Sequence, residues 1–463
     1  MGAMKDDLRK KWEQLSLYVQ DLMKANKVPG VSLGIITSGA LVTEGFGVTS
    51  VENPLPVTHS TLFQIGSITK TFTSTAIMRL VEIGKIELDA PVQTYCPAFK
   101  VGDEETSSKA TIRHLLTHTS GWMGDFFIDT GSGDDAMAKY AERMAELDQI
   151  SPAGSIVSYN NSGFYLLGYI IELIMKTPYE EAVRDLVIDP LGIEKCLFNP
   201  GDVILNRFSV GHRVVDGVAE VAGPWALPRA AYPAGGIVCD VDGLLQYAKF
   251  HLEGGVTCDG EQILETEITH TMQTPQEKYW GDEEFIGLSW FINIENGTKI
   301  ISHSGGTVGQ GAILQFVPDH EFAIAILTNA DTGAQLIEST LKWCLREYIG
   351  IESEDPKPLN VSRDSKQECE GRYVLPRLGY VDIHLRGEKL IAQEVPTGGF
   401  PTEDTPPAPA RPPYTLTFIE EDRLVVLDGK IKGEKFELIR DTTGAIKWLR
   451  KGSRLHIKES IGG

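Results

Sequence analysis

Strand-like apolar segments lie near both ends of the first 350 residues, and a mainly helical region separates them. The segments "GVSLGIIT" and "LVTEGFGV" flank a Ser-Gly turn and predict a β-hairpin, and four later segments, from "IGLSWFINI" to "EFAIAILTN", predict further strands. Between Ser67 and about residue 250 the apolar spacing is mainly helical. Strands at both ends with helices between them predict one α/β layer assembled from distant segments. We expect helices at 5–27 and 333–349 to cover one face of its sheet.

The chain changes character after "IGIESEDPKPLN", where two prolines among charged residues predict a linker at 351–362. Eight short strand-like pieces follow at close spacing, from "CEGRYV" to "RLHIKE". Such a series predicts an antiparallel meander or a small β-barrel. We therefore expect three parts: a domain at 1–350, the linker at 351–362 and a β-domain at 363–463.

The composition indicates a globular protein, with 42% apolar and 23% charged residues. The net charge of -21 argues against a nucleic-acid partner or an anionic membrane surface. The six cysteines include no C-x-x-C pair, which argues against a zinc finger or a redox motif. The first residues lack the apolar core of a signal peptide, so we expect a cytoplasmic protein, although a leader could have been removed. The oligomeric state stays open.

The segment "GSITK" places Ser67 where a helix is predicted to begin and Lys70 three residues later. A capping serine is normally followed at that position by Glu or Gln, because the first turn of a helix favours an anion. Side chains three residues apart on a helix share one face, so the lysine amine could take the proton of the serine hydroxyl if burial and positive potential lower its pKa. The alternative is an ordinary helix cap, which S-x-x-K alone does not exclude.

Tyr159 and Asn161 lie in "SYNNSG", a polar stretch just before a strongly apolar predicted helix. A phenol beside an ammonium group can relay a proton, and an asparagine amide can orient a lysine or a substrate carbonyl. The alternative is structural, with Tyr159 as a packing aromatic residue and Asn161 or Ser162 as a helix cap.

His303 ends an apolar strand in "IISHSGG", and Gly305 and Gly306 follow it. Glycines allow another group to approach the backbone closely. The strand edge could therefore offer an N–H group to a carbonyl oxygen, together with the N–H group of Ser67, as an oxyanion hole. A plain Gly-rich turn between two strands is the alternative.

Taken in order, Ser67-Ile68-Thr69-Lys70, Tyr159-Asn160-Asn161 and His303-Ser304-Gly305 resemble the S-x-x-K, Y-x-N and H-x-G signatures of the penicillin-recognising serine hydrolases. This family comprises penicillin-binding proteins, class C β-lactamases and related esterases and D-peptidases. The stretches "LLTHTSGW", "LDAPVQTYCP" and "YPAGGIVCDVDGLLQYAKF" fit the same family, and the resemblance covers about residues 10–350. It implies an α/β (α+β) β-lactamase/transpeptidase-like fold, with an antiparallel sheet flanked by helices and a helical subdomain.

The resemblance also implies a mechanism. Ser67 would attack a carbonyl carbon and form an acyl-enzyme, while Lys70 and Tyr159 would share the proton transfers in a division that stays open. Asn161 would hold the lysine or the substrate amide, and the N–H groups of Ser67 and Gly306 would bind the oxyanion. Neither a metal nor an organic cofactor is expected.

The third motif departs from the commonest family pattern. Many β-lactamases and penicillin-binding proteins have K-T-G there, and its lysine attracts the β-lactam carboxylate. This chain has His303, as esterase and D-aminopeptidase branches often do. A neutral imidazole attracts a carboxylate less strongly, which counts against efficient β-lactamase activity. The structural alternative for His303 is a hydrogen-bonded residue at the rim of the site.

Residues from about 360 to 463 resemble the eight-stranded lipocalin-like domain that follows the catalytic domain in some D-stereospecific peptidases and peptide-cyclising thioesterases of this family. In those relatives the extra domain can lean over the active site and select the substrate. By that analogy Arg450 could reach the pocket, although such an arginine is more often a solvated charge. Gly305 and Trp122 are the other substrate contacts that the resemblance suggests.

His114 and His118 are four residues apart and could share a helical face and bind a metal ion. Neither a third ligand cluster nor an H-E-x-x-H motif accompanies them, so we expect a structural role for both.

The leading hypothesis is a serine hydrolase or acyltransferase that acts on an ester, thioester or amide of a small-molecule or peptide-like substrate. Alternatives are a D-stereospecific peptidase or peptide-cyclising thioesterase, a weak β-lactamase, and a non-catalytic penicillin-binding-like scaffold.

Overall fold

A computed structural model describes residues 2–352, 356–429 and 431–459, with side chains from residue 6 onward. The chain forms two compact units. The first comprises the described parts of Met1–Ala90, Thr130–Met137 and Phe164–Ser353, and the second those of Pro91–Asp129, Ala138–Gly163 and Glu354–Gly463. Two segments from the predicted helical region, Pro91–Asp129 and Ala138–Gly163, thus group with the C-terminal residues. The sequence did not suggest this grouping. The domain boundaries at 1–350, 351–362 and 363–463 stay predictions.

The α-helices are mostly short, and those of the first unit carry much of its core. In the part of the chain that the structure describes, none is long and apolar enough to cross a membrane. In chain order they are α1 Gly2–Asn26, α2 Thr69–Glu82, α3 Glu104–Lys109, α4 Ile112–Leu116, α5 Ala136–Arg143, α6 Asn161–Met175, α7 Tyr179–Val183, α8 Pro200–Val203, α9 Tyr232–Gly235, α10 Val241–Leu252, α11 Thr266–Met272, α12 Gly333–Cys344 and α13 Arg363–Glu368.

Within the described residues, the strands form one large open sheet, one closed barrel and two small sheets. In chain order they are β1 Gly30–Thr37, β2 Ala40–Gly47, β3 Phe63–Gln64, β4 Cys196–Leu197, β5 His212–Val215, β6 Val218–Val221, β7 Val238–Cys239, β8 Glu277–Trp280, β9 Glu284–Ile286, β10 Phe291–Glu295, β11 Thr298–Thr307, β12 Gln310–Val317, β13 Phe322–Thr328, β14 Gly371–Leu375, β15 Gly379–Arg386, β16 Lys389–Pro396, β17 Tyr414–Glu420, β18 Arg423–Val426, β19 Lys435–Arg440, β20 Ile446–Lys451 and β21 Arg454–Lys458.

The first unit is built around an eight-stranded sheet in the order β2-β1-β13-β12-β11-β10-β9-β8. Every pairing in it is antiparallel, and the register places Leu33 of β1 opposite Ile326 of β13. The early hairpin and the late strands therefore meet in one sheet. This confirms the predicted α/β (α+β) fold, in which the antiparallel sheet is assembled from distant segments.

Helices cover both faces of this sheet. Leu15 and Val19 of α1 and Leu336 of α12 share one core cluster with side chains of β1 and β13, which confirms that the two predicted helices pack on the same face. On the other face lies α10, since a Cβ atom on Gly34 of β1 would come within 2.6 Å of Leu245. Because both faces are covered, every residue of β13 is buried, and its sequence "FAIAILT" is a continuous apolar run.

In the second unit, strands β14 to β21 form a closed antiparallel barrel. Burial alternates along its strands, as in Gly379–Arg386, where inward and outward side chains take turns. Tyr373, Ile383 and Leu449 are among the inward residues of the barrel core. The predicted meander or barrel is confirmed in its closed, eight-stranded form.

Candidate active site

Ser67 lies in the middle of a 3-10 turn, Gly66–Ile68, and α2 begins only at Thr69. The residues at the cap positions are Ile65 for the turn and Ile68 for the helix, so the helix-cap interpretation of Ser67 is wrong. Gly66 has a φ of +51°, in the left-handed region that favours glycine. This turn leaves Ser67 half-buried, next to the first turn of α2.

Lys70 meets Ser67 as the three-residue spacing predicted. Its side chain is fully buried, and Nζ donates to Ser67 Oγ at 3.0 Å and to the carbonyl oxygen of Ala234 at 2.7 Å. Nζ also lies 5.6 Å from the ring centroid of Phe164, within cation–π range. The amine is therefore held between a hydroxyl group, a carbonyl group and an aromatic face.

The carbonyl group of Ala234 belongs to α9, a short helix whose position is fixed by α2 and α6. Thr73, one turn after Lys70, donates to the carbonyl oxygen of Pro233 at 2.6 Å. Gly168 of α6 allows Pro233 to pack closely, since a Cβ atom there would lie 2.0 Å from the proline Cγ. The sequence analysis missed Ala234 as a partner of Lys70. The only sequence feature that pointed to Ala234 was the family stretch "YPAGG", which contains it.

Strand β11 runs directly against the Ser67 turn. A Cβ atom on Gly305 would lie 1.8 Å from the oxygen of Ile65 and 3.0 Å from the nitrogen of Ser67. A Cβ atom on Gly66 would lie 2.6 Å from the nitrogen of Gly306. Only glycines permit this approach, so the two backbone segments that carry the N–H groups of Ser67 and Gly306 lie side by side.

His303 is buried in β11 rather than placed at a rim, with 1% of its surface exposed. Burial, reinforced by the positive charge of Lys70, lowers the pKa of its imidazole to about 3. Nδ1 lies 2.6 Å from the oxygen of Ser304, and a carbonyl oxygen can only accept, so Nδ1 carries the proton. The third motif therefore presents a neutral imidazole, packed edge-on against Phe291 at 5.4 Å.

Tyr159 and Asn161 belong to the second unit. Tyr159 is 8% exposed, its ring lies 4.4 Å from that of His118, and its backbone N–H group donates to the oxygen of Ser453 at 2.7 Å. The cap of α6 is Asn160, whose Oδ1 accepts from the nitrogen of Gly163 at 2.7 Å. The alternative that Asn161 or Ser162 serves as the cap is therefore wrong, and the Asn161 side chain is available for another role.

Asn161 instead donates from Nδ2 to the carboxylate of Asp125, which is 3% exposed. Arg454 of β21 forms an ion pair with the same carboxylate. Its guanidinium carbon lies 5.0 Å from the ring centroid of Tyr159. Sequence reasoning missed both Asp125 and Arg454, because they are 329 residues apart and only the register of the barrel hairpin brings them together.

Arg450 and Trp122 do not take the positions that the sequence suggested. Arg450 is 6% exposed, donates from Nε to the oxygen of Val157 at 3.2 Å and pairs with Glu437. Trp122 is fully buried, and its indole N–H group donates to Ser162 Oγ at 3.0 Å. Both side chains are engaged inside the second unit, and their substrate contacts stay predictions.

His114 and His118 have structural roles, as expected. His114 completes a capping box with Thr111 at the start of α4. His118 accepts at Nδ1 from the backbone nitrogen of Asn160 at 3.1 Å, and so fixes the start of the Y-x-N segment. Among the described residues, no group of three or more His, Cys, Asp or Glu side chains could hold a metal ion.

Comparisons with known proteins agree with this geometry. The beta-lactamase family model matches residues 15–341. A penicillin-binding protein 4 from Amycolatopsis lactamdurans is 30% identical over 354 residues, which cover 74% of this chain and 93% of that protein.

Two solved structures resemble nearly the whole chain. The crystal structure of SurE superposes with a TM-score of 0.75 at 23% identity, and covers 97% of this chain and 99% of that one. The octameric penicillin-binding protein homologue from Pyrococcus abyssi has a TM-score of 0.65 at 26% identity, with 96% and 99% covered. The fold, the matched family model and the relative from Amycolatopsis together show that this chain belongs to the beta-lactamase family of penicillin-binding-protein-like serine hydrolases.

Proposed function

We propose that the protein is a serine hydrolase or acyltransferase that forms an acyl-enzyme on Ser67. The observation that carries this proposal is the contact of 3.0 Å between the buried Lys70 Nζ and Ser67 Oγ. Burial disfavours a charged ammonium group, and the carbonyl group of Ala234 holds the amine beside the hydroxyl group of Ser67. A base in this position contributes about 10²- to 10⁴-fold to a proton-transfer step.

In the proposed reaction the Ser67 hydroxyl proton passes to the amine of Lys70 as Oγ bonds to the substrate carbonyl carbon. The oxyanion binds to the N–H groups of Ser67 and Gly306, whose backbones adjoin. The bond to the leaving group then breaks, and the leaving group takes up the proton. Water or another nucleophile releases the acyl group by the reverse sequence of proton transfers. No metal or organic cofactor is needed for these steps.

Tyr159 and Asn161 enter the proposal through the Y-x-N motif. We assign Tyr159 a share in the proton transfers, and Asn161 the holding of the lysine or of a substrate amide, with the division between Lys70 and Tyr159 left open. The fixed side chain of Asn161, with Nδ2 on the carboxylate of Asp125, supports a positioning role.

The proposed substrate is an ester, thioester or amide of a small-molecule or peptide-like acyl group. The neutral, buried His303 favours esterase or acyl-transfer chemistry over the hydrolysis of β-lactams, since it supplies no cation for a carboxylate. Any β-lactamase activity would be weak. A catalytically inactive scaffold would not need a buried lysine against a serine hydroxyl group, so we rank it last.

A second candidate function is a D-stereospecific peptidase or a peptide-cyclising thioesterase. It is favoured by the C-terminal barrel and by the likeness to SurE, which has been crystallised with D-Leu and covers 97% of this chain. We propose that the barrel is lipocalin-like and takes part in the choice of substrate.

Labelling with a fluorophosphonate, followed by intact-mass measurement, tests the proposal. We expect one label per wild-type chain and none in Ser67→Ala. An unlabelled wild-type protein, or equal labelling of Ser67→Ala, would overturn the mechanism. A panel of p-nitrophenyl esters, nitrocefin and D-aminoacyl amides then separates the enzymatic alternatives.

A further inference from the structure

The barrel hairpin β20–β21 lies along residues 150–159, within the second unit. Four of its residues make hydrogen bonds to this segment. They are Trp448 Nε1 to the oxygen of Ile150 at 3.0 Å, Arg450 Nε to the oxygen of Val157 at 3.2 Å, Leu455 N to Ser158 Oγ at 3.2 Å, and the oxygen of Ser453, which accepts from Tyr159 N at 2.7 Å. The segment that ends in the Y-x-N motif is therefore tied to the barrel along its length.

The tip of this hairpin is short and stiff. Lys451 pairs with Arg454, so only Gly452 and Ser453 form the turn, and their φ values are +54° and +68°. Positive φ at both central residues is the geometry that suits a two-residue hairpin turn. The tip therefore holds the carbonyl group of Ser453 and the side chain of Arg454 in a defined position.

Asp125 connects this tip to Asn161. Its carboxylate accepts from Asn161 Nδ2, and Arg454 pairs with the same group, with Nη2 3.3 Å from Oδ1. The amide must turn its nitrogen towards Asp125, because its oxygen would be repelled by the carboxylate. Asn161 Oδ1 is thus directed away from Asp125, and the carboxylate selects one orientation of the amide.

We propose that Arg454 is a positioning residue, which holds the carboxylate of Asp125 in place and so fixes the orientation of the Asn161 amide and the place of the Tyr159 ring. This inference rests on the proposed function of the Y-x-N motif. Without Arg454, the buried carboxylate would lose its counter-charge and would turn towards solvent. That movement releases the amide and permits it to rotate.

The barrel offers a matched control at Arg372. Arg372 pairs with Asp382 through two contacts of 2.8 Å, and its guanidinium carbon lies 3.8 Å from the ring centroid of Tyr380. It therefore reproduces the arginine–aspartate–tyrosine arrangement of Arg454, on strands β14 and β15 instead of on the hairpin that contacts the Y-x-N segment. Arg372→Met removes the same kind of interaction without touching the motif.

The experiment compares kcat and KM for a p-nitrophenyl ester in the full chain carrying Arg454→Met, Arg454→Lys or Arg372→Met. We expect Arg454→Met to lower kcat by roughly tenfold or more, with KM changed less than about twofold, because a misplaced group acts on the reacting geometry. Arg454→Lys should restore most of kcat, since it keeps the charge, and Arg372→Met should match the wild type. Unchanged kcat in Arg454→Met, or an equal loss in Arg372→Met, would overturn the proposal.

The double variant Asp125→Asn with Arg454→Met covers the case in which Arg454→Met fails to fold. It removes both charges, so no unpaired carboxylate stays buried. We expect the double variant to fold and to show the same loss of kcat. A wild-type kcat in this variant would refute the positioning role.

Fluorophosphonate labelling distinguishes a failure of the proposed function from a failure of the positioning role. If the wild type is unlabelled, the proposed function fails, whereas a labelled wild type with unaffected Arg454 variants refutes only this inference.

Discussion

The S-x-x-K and Y-x-N motifs of this chain are held in different ways. Lys70 is fixed by a hydroxyl group three residues away and by a backbone carbonyl group, without leaving the first unit. Asn161 is fixed by an aspartate whose charge is balanced by Arg454 of the C-terminal barrel. The first arrangement depends on one helical turn and a neighbouring short helix. The second depends on the register of a hairpin 329 residues from Asp125.

Because of this difference, mutations at the two motifs should lower turnover to different extents. Changes at the Ser67–Lys70 pair remove the reacting groups themselves, so their effects on turnover should be largest. Changes around Asn161 act on the placement of groups, so their effects should be graded and open to conservative rescue.

Lys70→Met should lower turnover of a p-nitrophenyl ester by about 10²- to 10⁴-fold, because it removes the base and keeps a side chain of similar length. Steady-state kinetics measures the loss. The control is Lys458→Met, since Lys458 Nζ likewise donates to a backbone oxygen, that of Glu368 at 2.6 Å, and lies 5.5 Å from the ring centroid of Tyr373. Comparable losses in both variants would show that removing a hydrogen-bonded lysine lowers turnover through the fold alone.

Tyr159→Phe should lower turnover by about 10²-fold, at the lower end of the range for a proton-transfer group, because Lys70 stays in place. Its backbone bond to Ser453 does not involve the hydroxyl group, so the fold should be kept. Tyr140→Phe is the matched control, since the hydroxyl group of Tyr140 donates to the oxygen of Phe126 at 2.9 Å in the same unit. Turnover in Tyr159→Phe equal to that of Tyr140→Phe would remove Tyr159 from the mechanism.

The buried histidines predict how stability depends on pH. Burial lowers the pKa of His303 to about 3, against a usual value of 6.5, so between these pH values the unfolded chain binds the additional proton. The free energy of unfolding should therefore fall as the pH falls through this window, by about 1.4 kcal/mol per pH unit for one such group. Urea unfolding at several pH values should show a slope reduced by about one proton in His303→Asn.

His456 is the counterpart of His303 in the second unit. Burial, with a smaller effect from Lys451, lowers its pKa to about 4, so its contribution to the slope should end about one pH unit higher than that of His303. An unchanged slope in His303→Asn or in His456→Asn would show that the imidazole concerned is not held neutral in the folded protein.

Trp122→Phe should have the smallest effect. It removes the hydrogen bond from the indole N–H group to Ser162 Oγ, at a cost of about 1 kcal/mol in the free energy of unfolding, and leaves turnover unchanged. Thermal unfolding and steady-state kinetics measure the two effects. A raised KM with unchanged stability would restore the substrate contact that the sequence suggested.

The sequence predicts well what depends on short spacing or on continuous apolar runs. The Ser67–Lys70 contact follows from three residues of separation, and β13 follows from "FAIAILT". The helix predicted at 333–349 is present as α12, followed by a turn of wider pitch at Leu345–Ile349. In each case the determining residues are neighbours in the chain.

What the sequence does not predict depends on register and on distant packing. The barrel arginine beside Tyr159 is Arg454 rather than Arg450, because the hairpin turn at Gly452 and Ser453 fixes which side chain faces Asp125. Trp122 ends the family stretch "LLTHTSGW" and is predicted as a substrate contact, yet it is buried against Phe99 with ring centroids 5.6 Å apart. A difference of a few residues in register decides such contacts, and composition carries no trace of it.

The acyl-enzyme mechanism is tested by a rapid acid quench of the enzyme with a p-nitrophenyl ester, followed by digestion and mass analysis of the acylated peptide. It requires a single acyl group on the peptide that contains Ser67, formed at least about 10²-fold more slowly in Lys70→Met. An acyl group on another residue, or equal rates of acylation in the wild type and in Lys70→Met, would contradict it.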